Sequence, residues 1–261
     1  MKTILITGVD GSGKSTIFER LKSEIKSDIA LLCVPHFDLD ILAADQKMLQ
    51  HAQVLNQMSY DADKNEQSIM KALSLFGSML LFHRAINLIT TPETKILFCE
   101  RHPLIDARVY ASFYAKKLST ASISENQMKN IEEKYKSTFS FLGSLLPDFK
   151  GNVVKEIFRV IETYFGKTQA DFTETAKLFH VSLPEQIFYL NAPATILYDR
   201  ISQRKKLEPH ETLSTLDLIQ NEYSNVLNEL PKQVNVSLVD ASSFEQLDLF
   251  YKQLLTETIS L

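Results

Sequence analysis

Short apolar runs alternate along this chain with longer segments of helical period. Five runs have the length and the branched or aromatic content of buried strands, and they span residues 3–7, 29–34, 95–99, 186–190 and 234–239. The segments between them carry apolar residues three or four positions apart, which is the spacing of one helix face. This alternation is typical of parallel strands joined by helices. It predicts an α/β fold, a parallel five-stranded sheet with helices on both faces.

The segment from about residue 119 to residue 183 departs from this alternation. A parallel crossover needs only about a dozen residues, so this longer stretch predicts a helical insertion within one domain that spans residues 1–261. Upstream, the apolar stretch 73–89 predicts a single helix that is largely buried. Ser124 with Gln127, and Ser242 with Glu245, predict capping boxes at two helix starts.

Charge and cysteine content exclude several classes of protein. The chain has 28 Lys and Arg against 32 Asp and Glu, so no overall positive field would attract nucleic acid or an anionic membrane. Cys33 and Cys99 lie in apolar runs, which predicts free thiols and neither a disulfide nor a zinc site. No apolar run reaches the length of about 18 residues that spans a membrane, and the N-terminus lacks a signal-peptide core. We therefore expect a cytoplasmic protein without a membrane or nucleic-acid partner.

Three of the seven glycines lie close together near the start of the chain. The run from Gly8 to Ser15, GVDGSGKS, matches the pattern G-x-x-x-x-G-K-[ST] at every position. It joins a predicted strand to a predicted helix, so backbone N–H groups and the positive end of the helix dipole would meet phosphate oxygens. There, Lys14 would neutralise phosphate charge and the Ser15 hydroxyl would ligate Mg²⁺. The run therefore predicts a nucleotide-phosphate site.

Two further charged positions lie at places where a phosphate site needs charge. Glu100 and Arg101 directly follow the third predicted strand, so we expect Glu100 to contact Mg²⁺, directly or through water, and Arg101 to face the transferring phosphoryl group. The alternative for this pair is an ion pair at a strand end. Arg84 lies inside the apolar helix and keeps its charge, so it needs either a carboxylate of the fold or a ligand phosphate.

A cationic cluster follows the fourth predicted strand and its helix. It holds Arg200, Arg204, Lys205 and Lys206, of which the two arginines are four positions apart and share one helix face. Acidic residues follow it, and we expect a lid over about residues 200–211 that closes over the phosphates and excludes water. A solvated helix end is the alternative.

These motifs, taken in order, resemble the thymidylate kinase and deoxynucleoside kinase group of P-loop kinases. The segment from Ile6 to Thr16 resembles the thymidylate kinase loop, and Leu81 to Arg84 resembles the helix whose arginine holds the acceptor. Glu100-Arg101-His102, followed by Asp106, is similar in spacing to motifs of deoxynucleoside kinases and viral thymidine kinases. Residues 190–204 resemble the strand and lid, and residues 239–242 resemble the late loop beside the adenine. Residues 119–183 lie outside the resemblance.

The resemblance implies a P-loop NTPase fold, ATP as donor, Mg²⁺ as metal and a nucleotide as substrate, with a homodimer as a possible assembly. With the motifs, it places the following residues at the donor: Gly8, Asp10, Gly11, Ser12, Gly13, Lys14, Ser15, Thr16, Arg200, Asp240 and Ala241. It places Lys14, Glu100, Arg101, Arg200 and Arg204 at the transferring group. It places Asp10, His36, Asp38, Arg84, Arg101 and Asp106 at the acceptor, where Asp10 would approach the sugar 3′-hydroxyl.

One departure from the family pattern bears on the acceptor. The strand after the first helix normally delivers a glutamate beside a proline, whereas this chain has Val34-Pro35-His36-Phe37-Asp38. A nucleoside hydroxyl benefits from a positioned base, whereas a monophosphate is already ionised. This favours a monophosphate acceptor unless Asp38 or His36 replaces the base, although the spacing around Glu100 favours a nucleoside.

We therefore expect an ATP-binding kinase, a transferase that phosphorylates a thymidylate-like nucleoside monophosphate. Three alternatives stay open. The first is a deoxynucleoside kinase acting on a 5′-hydroxyl, and the second is a kinase of another small molecule. The third is a nucleotide-binding regulator without turnover. The sequence does not decide the acceptor base or sugar.

Overall fold

The computed structural model describes residues 1–24, 27–35, 37–65, 67–110, 124–146, 151–161, 172–204 and 211–256. The chain divides into two compact units. The first unit comprises Met1–Leu32, Ile89–Arg101 and Pro184–Leu261, and the second comprises Cys33–Leu88 and His102–Leu183. The sequence predicts one domain with an insertion at 119–183, and much of that stretch belongs to the second unit together with residues 33–88.

A five-stranded parallel sheet confirms the predicted α/β class. Its strands are β1 (Lys2–Gly8), β2 (Ile29–Cys33), β3 (Ile96–Glu100), β4 (Gln186–Asn191) and β5 (Asn235–Asp240), in the order β2-β3-β1-β4-β5. The central strand β1 pairs with β3 on one side and with β4 on the other. Ile4, Leu5 and Ile6 are fully buried, as expected where helices cover a parallel sheet.

Helices account for most of the remaining described chain. Those with defined bounds are α1 (Lys14–Glu24), α2 (Leu39–Leu42), α3 (Gln46–Lys64), α4 (Ser68–Leu80), α5 (Phe82–Ile89), α6 (Glu125–Lys134), α7 (Lys136–Gly143), α8 (Val153–Val160), α9 (Phe172–Phe179), α10 (Ala194–Ser202), α11 (Leu213–Asn228) and α12 (Phe244–Leu254). Residues 106–110 are also helical.

The second unit is helical, and α4 lies in its core. A Cβ on Gly77 of α4 would lie 2.8 Å from Leu55 Cδ2 and 2.9 Å from Leu142 Cδ1, so α3 and α7 approach α4 at this glycine. Residues 73–89 form α4 and α5 instead of the single predicted helix, with a bend of 40° between them. At the break the Leu81 N–H donates to the Ser78 carbonyl, at 3.2 Å, which is the tighter three-residue spacing.

Two helix starts test the predicted capping boxes. Ser124 and Gln127 form the reciprocal pair of hydrogen bonds at the start of α6, as predicted. The box predicted from Ser242 and Glu245 is wrong by one position, because the hydroxyl of Ser243 accepts from the backbone N–H of Gln246 and Ser243 caps α12.

Neither cysteine forms a disulfide, and Cys99 is buried while Cys33 is half-buried. In the part of the chain that the structure describes, no single helix has both the length and the hydropathy to cross a membrane, and α4 and α5 reach that threshold only when taken as a bent pair.

Candidate functional site

The loop between β1 and α1 takes its shape from glycines that pack against later parts of the first unit. Gly11 and Gly13 have φ angles of +84° and +96°, which other residues rarely adopt. A Cβ on Gly13 would lie 2.6 Å from Leu247 Cδ1, and one on Gly11 would lie 2.8 Å from the carbonyl oxygen of Leu197. The backbone angles therefore favour glycine at both positions, and at Gly11 the backbone carbonyl of Leu197 also leaves no room for a side chain.

The Lys14 side chain is buried within this loop and only 4% exposed. Its ammonium donates to the carbonyl oxygens of Gly8, at 2.8 Å, and Val9, at 3.0 Å. A buried ammonium needs such partners because leaving it unpaired is costly. The lysine and the loop therefore hold each other in place, with the positive charge at the start of α1.

Ser12 shows whether the loop suits a phosphate ligand. Its hydroxyl is fully buried, and Ser12 Oγ has no hydrogen-bond partner among the described residues, although buried hydroxyls are nearly always paired. Helix α1 begins at Lys14, and the first amides of a helix point out of its N-terminal end. The loop thus combines a buried lysine, helix-end amides and a hydroxyl that lacks a partner, a donor set that fits phosphate oxygens.

Ser15 and Glu100 lie together, as the predicted metal site requires. Ser15 is in the first turn of α1, and Glu100 ends β3, where it is in register with Ile6 of β1. The Ser15 hydroxyl donates to Glu100 Oε1 at 3.2 Å. Among the described residues no cluster of three or more His, Cys, Asp or Glu forms a metal cage. One carboxylate with a hydroxyl suits Mg²⁺, which keeps waters and substrate phosphates in its coordination shell.

Arg101 and Asp10 form an ion pair beside this loop. Arg101 Nη2 donates to Asp10 Oδ1 at 2.9 Å, and the arginine side chain is 14% exposed. The backbone of Arg101 has a φ of +71°, a left-handed conformation uncommon outside glycine. The sequence placed both residues at the site, but it paired Asp10 with the acceptor sugar, not with Arg101.

Arg200 is held by backbone carbonyl oxygens. Its guanidinium donates to Gly11 at 3.3 Å, Ala241 at 2.8 Å and Ser242 at 2.9 Å. These contacts join α10 to the loop between β1 and α1 and to the loop after β5. The sequence predicted contact with phosphate, and it carried no signal for carbonyl partners that lie about 40 and 190 positions away.

A cavity of about 410 Å³ lies next to Arg200, and its walls come from α10 and the start of α12. Arg200 and Phe244 line it, with the guanidinium carbon 5.5 Å from the centroid of the Phe244 ring. Ser242, Ser243 and Glu245 are also part of the lining. Phe244 is 73% exposed, and sequence reasoning missed it. An aromatic residue directly after two serines at a helix start was the available signal.

The other residues predicted near the donor have internal roles. The Asp240 carboxylate accepts from the backbone N–H of Ser242 at 2.8 Å, and Ser242 holds the pKa of Asp240 below its usual range. Ala241 is buried, and its N–H donates to the carbonyl of Asn191. Arg204 pairs with the buried Glu211 at 2.8 Å. The other predicted lid residues, 205–210, lie outside the described part of the chain.

Comparison of the chain with models of known families and with curated proteins finds no match.

The residues predicted to hold an acceptor belong mostly to the second unit. His36 lies outside the described residues. Asp38 caps α2, with its carboxylate accepting from the N–H of Asp40 at 3.1 Å. Arg84 pairs with a carboxylate of the fold: Arg84 Nε donates to Asp45 Oδ2 at 2.7 Å. The backbone N–H of Met48 and the Arg84 guanidinium lower the pKa of Asp45.

Asp106 and His102 are hydrogen-bonded at the start of the helical residues 106–110. Asp106 is fully buried, and its carboxylate accepts from the backbone N–H of His102 at 2.6 Å. His102 Nδ1 in turn accepts from the N–H of Leu104 at 3.2 Å. Burial lowers the pKa of His102 to about 3, so the imidazole is neutral at physiological pH. These contacts give both residues structural roles.

Proposed function

We propose that this protein is an ATP- and Mg²⁺-dependent phosphotransferase of the P-loop class, acting on a thymidylate-like nucleoside monophosphate. One observation carries the proposal: the Ser15 hydroxyl and the Glu100 carboxylate meet at 3.2 Å beside a loop that wraps the Lys14 ammonium. A phosphate-binding loop by itself occurs in proteins of many functions and does not identify the reaction. A carboxylate delivered to its serine by a neighbouring parallel strand supplies the second metal ligand that phosphoryl transfer needs.

The chain's own residues then act mainly by position and charge. When bound, ATP would supply the phosphoryl group, and Mg²⁺ would supply positive charge to its oxygens. Ser15 and Glu100 hold the metal, and Lys14 with the amides of α1 neutralises the phosphates. Arg101 lies directly after Glu100 and offers a planar guanidinium to the developing charge. Chemistry of this kind needs little covalent participation by the protein.

The cavity beside Arg200 suits the base of the donor. Its 410 Å³ volume is within the range of small-ligand sites. Phe244 and Arg200 offer an aromatic face and a guanidinium plane against which a purine can stack. Arg200 also bonds to Gly11 of the phosphate loop, so base site and phosphate site share one residue.

The contacts of Asp38 favour a monophosphate over a nucleoside as acceptor. A nucleoside hydroxyl needs a general base, and Asp38 was one of two residues able to replace the missing glutamate. Its carboxylate accepts from the N–H of Asp40 and so caps the start of α2. A monophosphate acceptor needs positioning and charge neutralisation instead, which a site built from Lys14 and Arg101 supplies.

The proposal is tested by ADP release from Mg-ATP with a panel of nucleosides and nucleoside monophosphates. We expect one monophosphate to stimulate release and Lys14→Ala to abolish it, while Lys129→Ala, which removes an exposed lysine of α6, keeps the wild-type rate. Ser15→Thr retains the metal-binding hydroxyl and should keep activity, and Ser15→Ala should need more Mg²⁺.

Other outcomes select the alternatives. Stimulation by a nucleoside alone would replace the monophosphate with a 5′-hydroxyl acceptor. ATP binding with no release for any acceptor would indicate a regulator or an acceptor outside the panel. Turnover of Lys14→Ala at the wild-type rate would remove the phosphate loop from the reaction and refute the proposal.

A further inference from the structure

A single carboxylate lies between two cations of the candidate site. Asp10 Oδ1 is 2.9 Å from Arg101 Nη2 and 3.9 Å from Lys14 Nζ. All three residues belong to the first unit. The Asp10 side chain is 25% exposed, so water screens this carboxylate only partly.

The charge of Asp10 opposes the binding that the loop otherwise favours. Two cations, Lys14 and Arg101, stand beside two anions, Asp10 and Glu100, so their formal charges sum to zero. Glu100 has a metal to bind, whereas Asp10 lies within the loop itself and repels phosphate oxygens. A carboxylate at this position therefore needs an explanation other than nucleotide affinity.

That explanation is the fixed position of Arg101. The arginine backbone is in a left-handed conformation, with a φ of +71°, and such a conformation persists only where surrounding contacts determine it. One end of the residue follows Glu100 and the paired strand β3, and the other end is bonded to Asp10. The guanidinium is thus anchored at both ends before any ligand arrives, which is the condition for electrostatic stabilisation without reorganisation.

We propose that Asp10 is a positioning residue, which holds the Arg101 guanidinium at the phosphate loop at the expense of nucleotide affinity. The inference rests on the proposed phosphotransfer and adds a role for Asp10 that is separate from ligand binding. Asp10 acts through Arg101 and contacts neither the donor nor the acceptor.

The variant Asp10→Asn separates the two effects of this carboxylate. Removing its negative charge should tighten Mg-ATP binding by about tenfold, because one repulsive charge near the phosphates is lost. Releasing the guanidinium should lower kcat by about a hundredfold, the cost of a small misplacement. A merely structural defect would weaken binding and turnover together. Opposite changes in Kd and kcat are therefore the expected signature.

A double-mutant cycle tests whether Asp10 acts through Arg101. In an Arg101→Ala background, Asp10→Asn should cause no further loss of kcat. An equal further loss would mean that Asp10 contacts the substrate directly, and this would overturn the inference. Asp10→Glu, which keeps the charge on a longer side chain, should recover part of the kcat lost in Asp10→Asn. Failure of Asp10→Glu to recover any rate, in a folded variant, would also count against the inference.

Hydrogen exchange gives a readout that does not need turnover. The peptide covering residues 99–104 should exchange faster in Asp10→Asn than in the wild type, because Arg101 has lost its anchor. If the wild type binds no ATP, the proposed function fails, yet faster exchange would still show that Asp10 holds Arg101. Unchanged exchange, or weaker ATP binding in Asp10→Asn, would overturn the inference.

Discussion

Replacing Arg101 by glycine and by alanine should change activity and stability in different ways. Both substitutions remove the guanidinium and its ion pair with Asp10. They differ in the backbone, because Arg101 has a φ of +71°. Glycine adopts this conformation freely, whereas alanine keeps the strain that arginine carries.

The size of the difference follows from that single angle. A non-glycine residue in the left-handed region costs about 1–2 kcal/mol, and glycine loses about 0.5–1 kcal/mol more than alanine through its greater freedom in the unfolded chain. The balance favours Arg101→Gly over Arg101→Ala by about 0–1.5 kcal/mol in the free energy of unfolding, with a midpoint of about 0.75 kcal/mol. At about 2–4 °C per kcal/mol for a domain of this size, the Tm of the glycine variant should be about 2 °C higher.

Two assays on the same pair of proteins test this reasoning. Thermal unfolding followed by circular dichroism should rank the glycine variant above the alanine variant, while ADP release falls by about 10²–10³ in both. The loss of the ion pair is common to the two variants, so it cancels from the comparison. A glycine variant less stable than the alanine variant by about 0.5–1 kcal/mol would show that the left-handed backbone of Arg101 carries no strain, because only the unfolded-chain cost of glycine would then remain.

Two further predictions concern the loop and its surroundings. Gly13→Ala should destabilise the protein by about 1–3 kcal/mol and abolish ATP binding, since its Cβ would lie 2.6 Å from Leu247 Cδ1. Calorimetry measures both effects, and wild-type binding would contradict the reasoning. His102 should make stability depend on pH. Burial lowers its folded pKa to about 3, against about 6.5 when unfolded, so its contribution is complete above pH 6.5. That contribution is lost as the pH falls toward 3, by up to about 1.4 kcal/mol per pH unit. His102→Asn, which can still accept from the Leu104 N–H, should flatten this dependence in denaturant titrations between pH 4 and 7. An unchanged slope would assign it to other groups.

The strands were predictable because their signal is local. Each of the five predicted runs overlaps an observed strand, as residues 186–190 do with Gln186–Asn191. The parallel order then brings the last residue of β3 next to the loop after β1, so Glu100 could be placed beside Ser15 from sequence alone. The spacing of Gly8, Lys14 and Ser15 matches a known sequence pattern, and recognising that pattern needs no tertiary information.

The remaining contacts were not predictable because they join distant positions. Arg84 needed an anion, and sequence could not choose between Asp45 and a ligand phosphate. Arg200 was assigned to phosphates, but its partners are carbonyl oxygens, which every residue possesses and which leave no mark in a sequence. The break at Leu81 has no glycine or proline to signal it. Single positions were also misplaced, as the cap at Ser243 shows, because neighbouring serines are equivalent in pattern.

The glycine contacts of the loop between β1 and α1 determine when this loop can fold during translation. Gly11 packs on Leu197 and Gly13 on Leu247, both of which are translated long after the loop itself. Strand β1, which precedes the loop, also pairs with β4, which begins at Gln186. A nascent chain therefore carries this loop without its packing partners until residue 247 has been synthesised. Under the proposed function, a nucleotide can stabilise the loop only after that point.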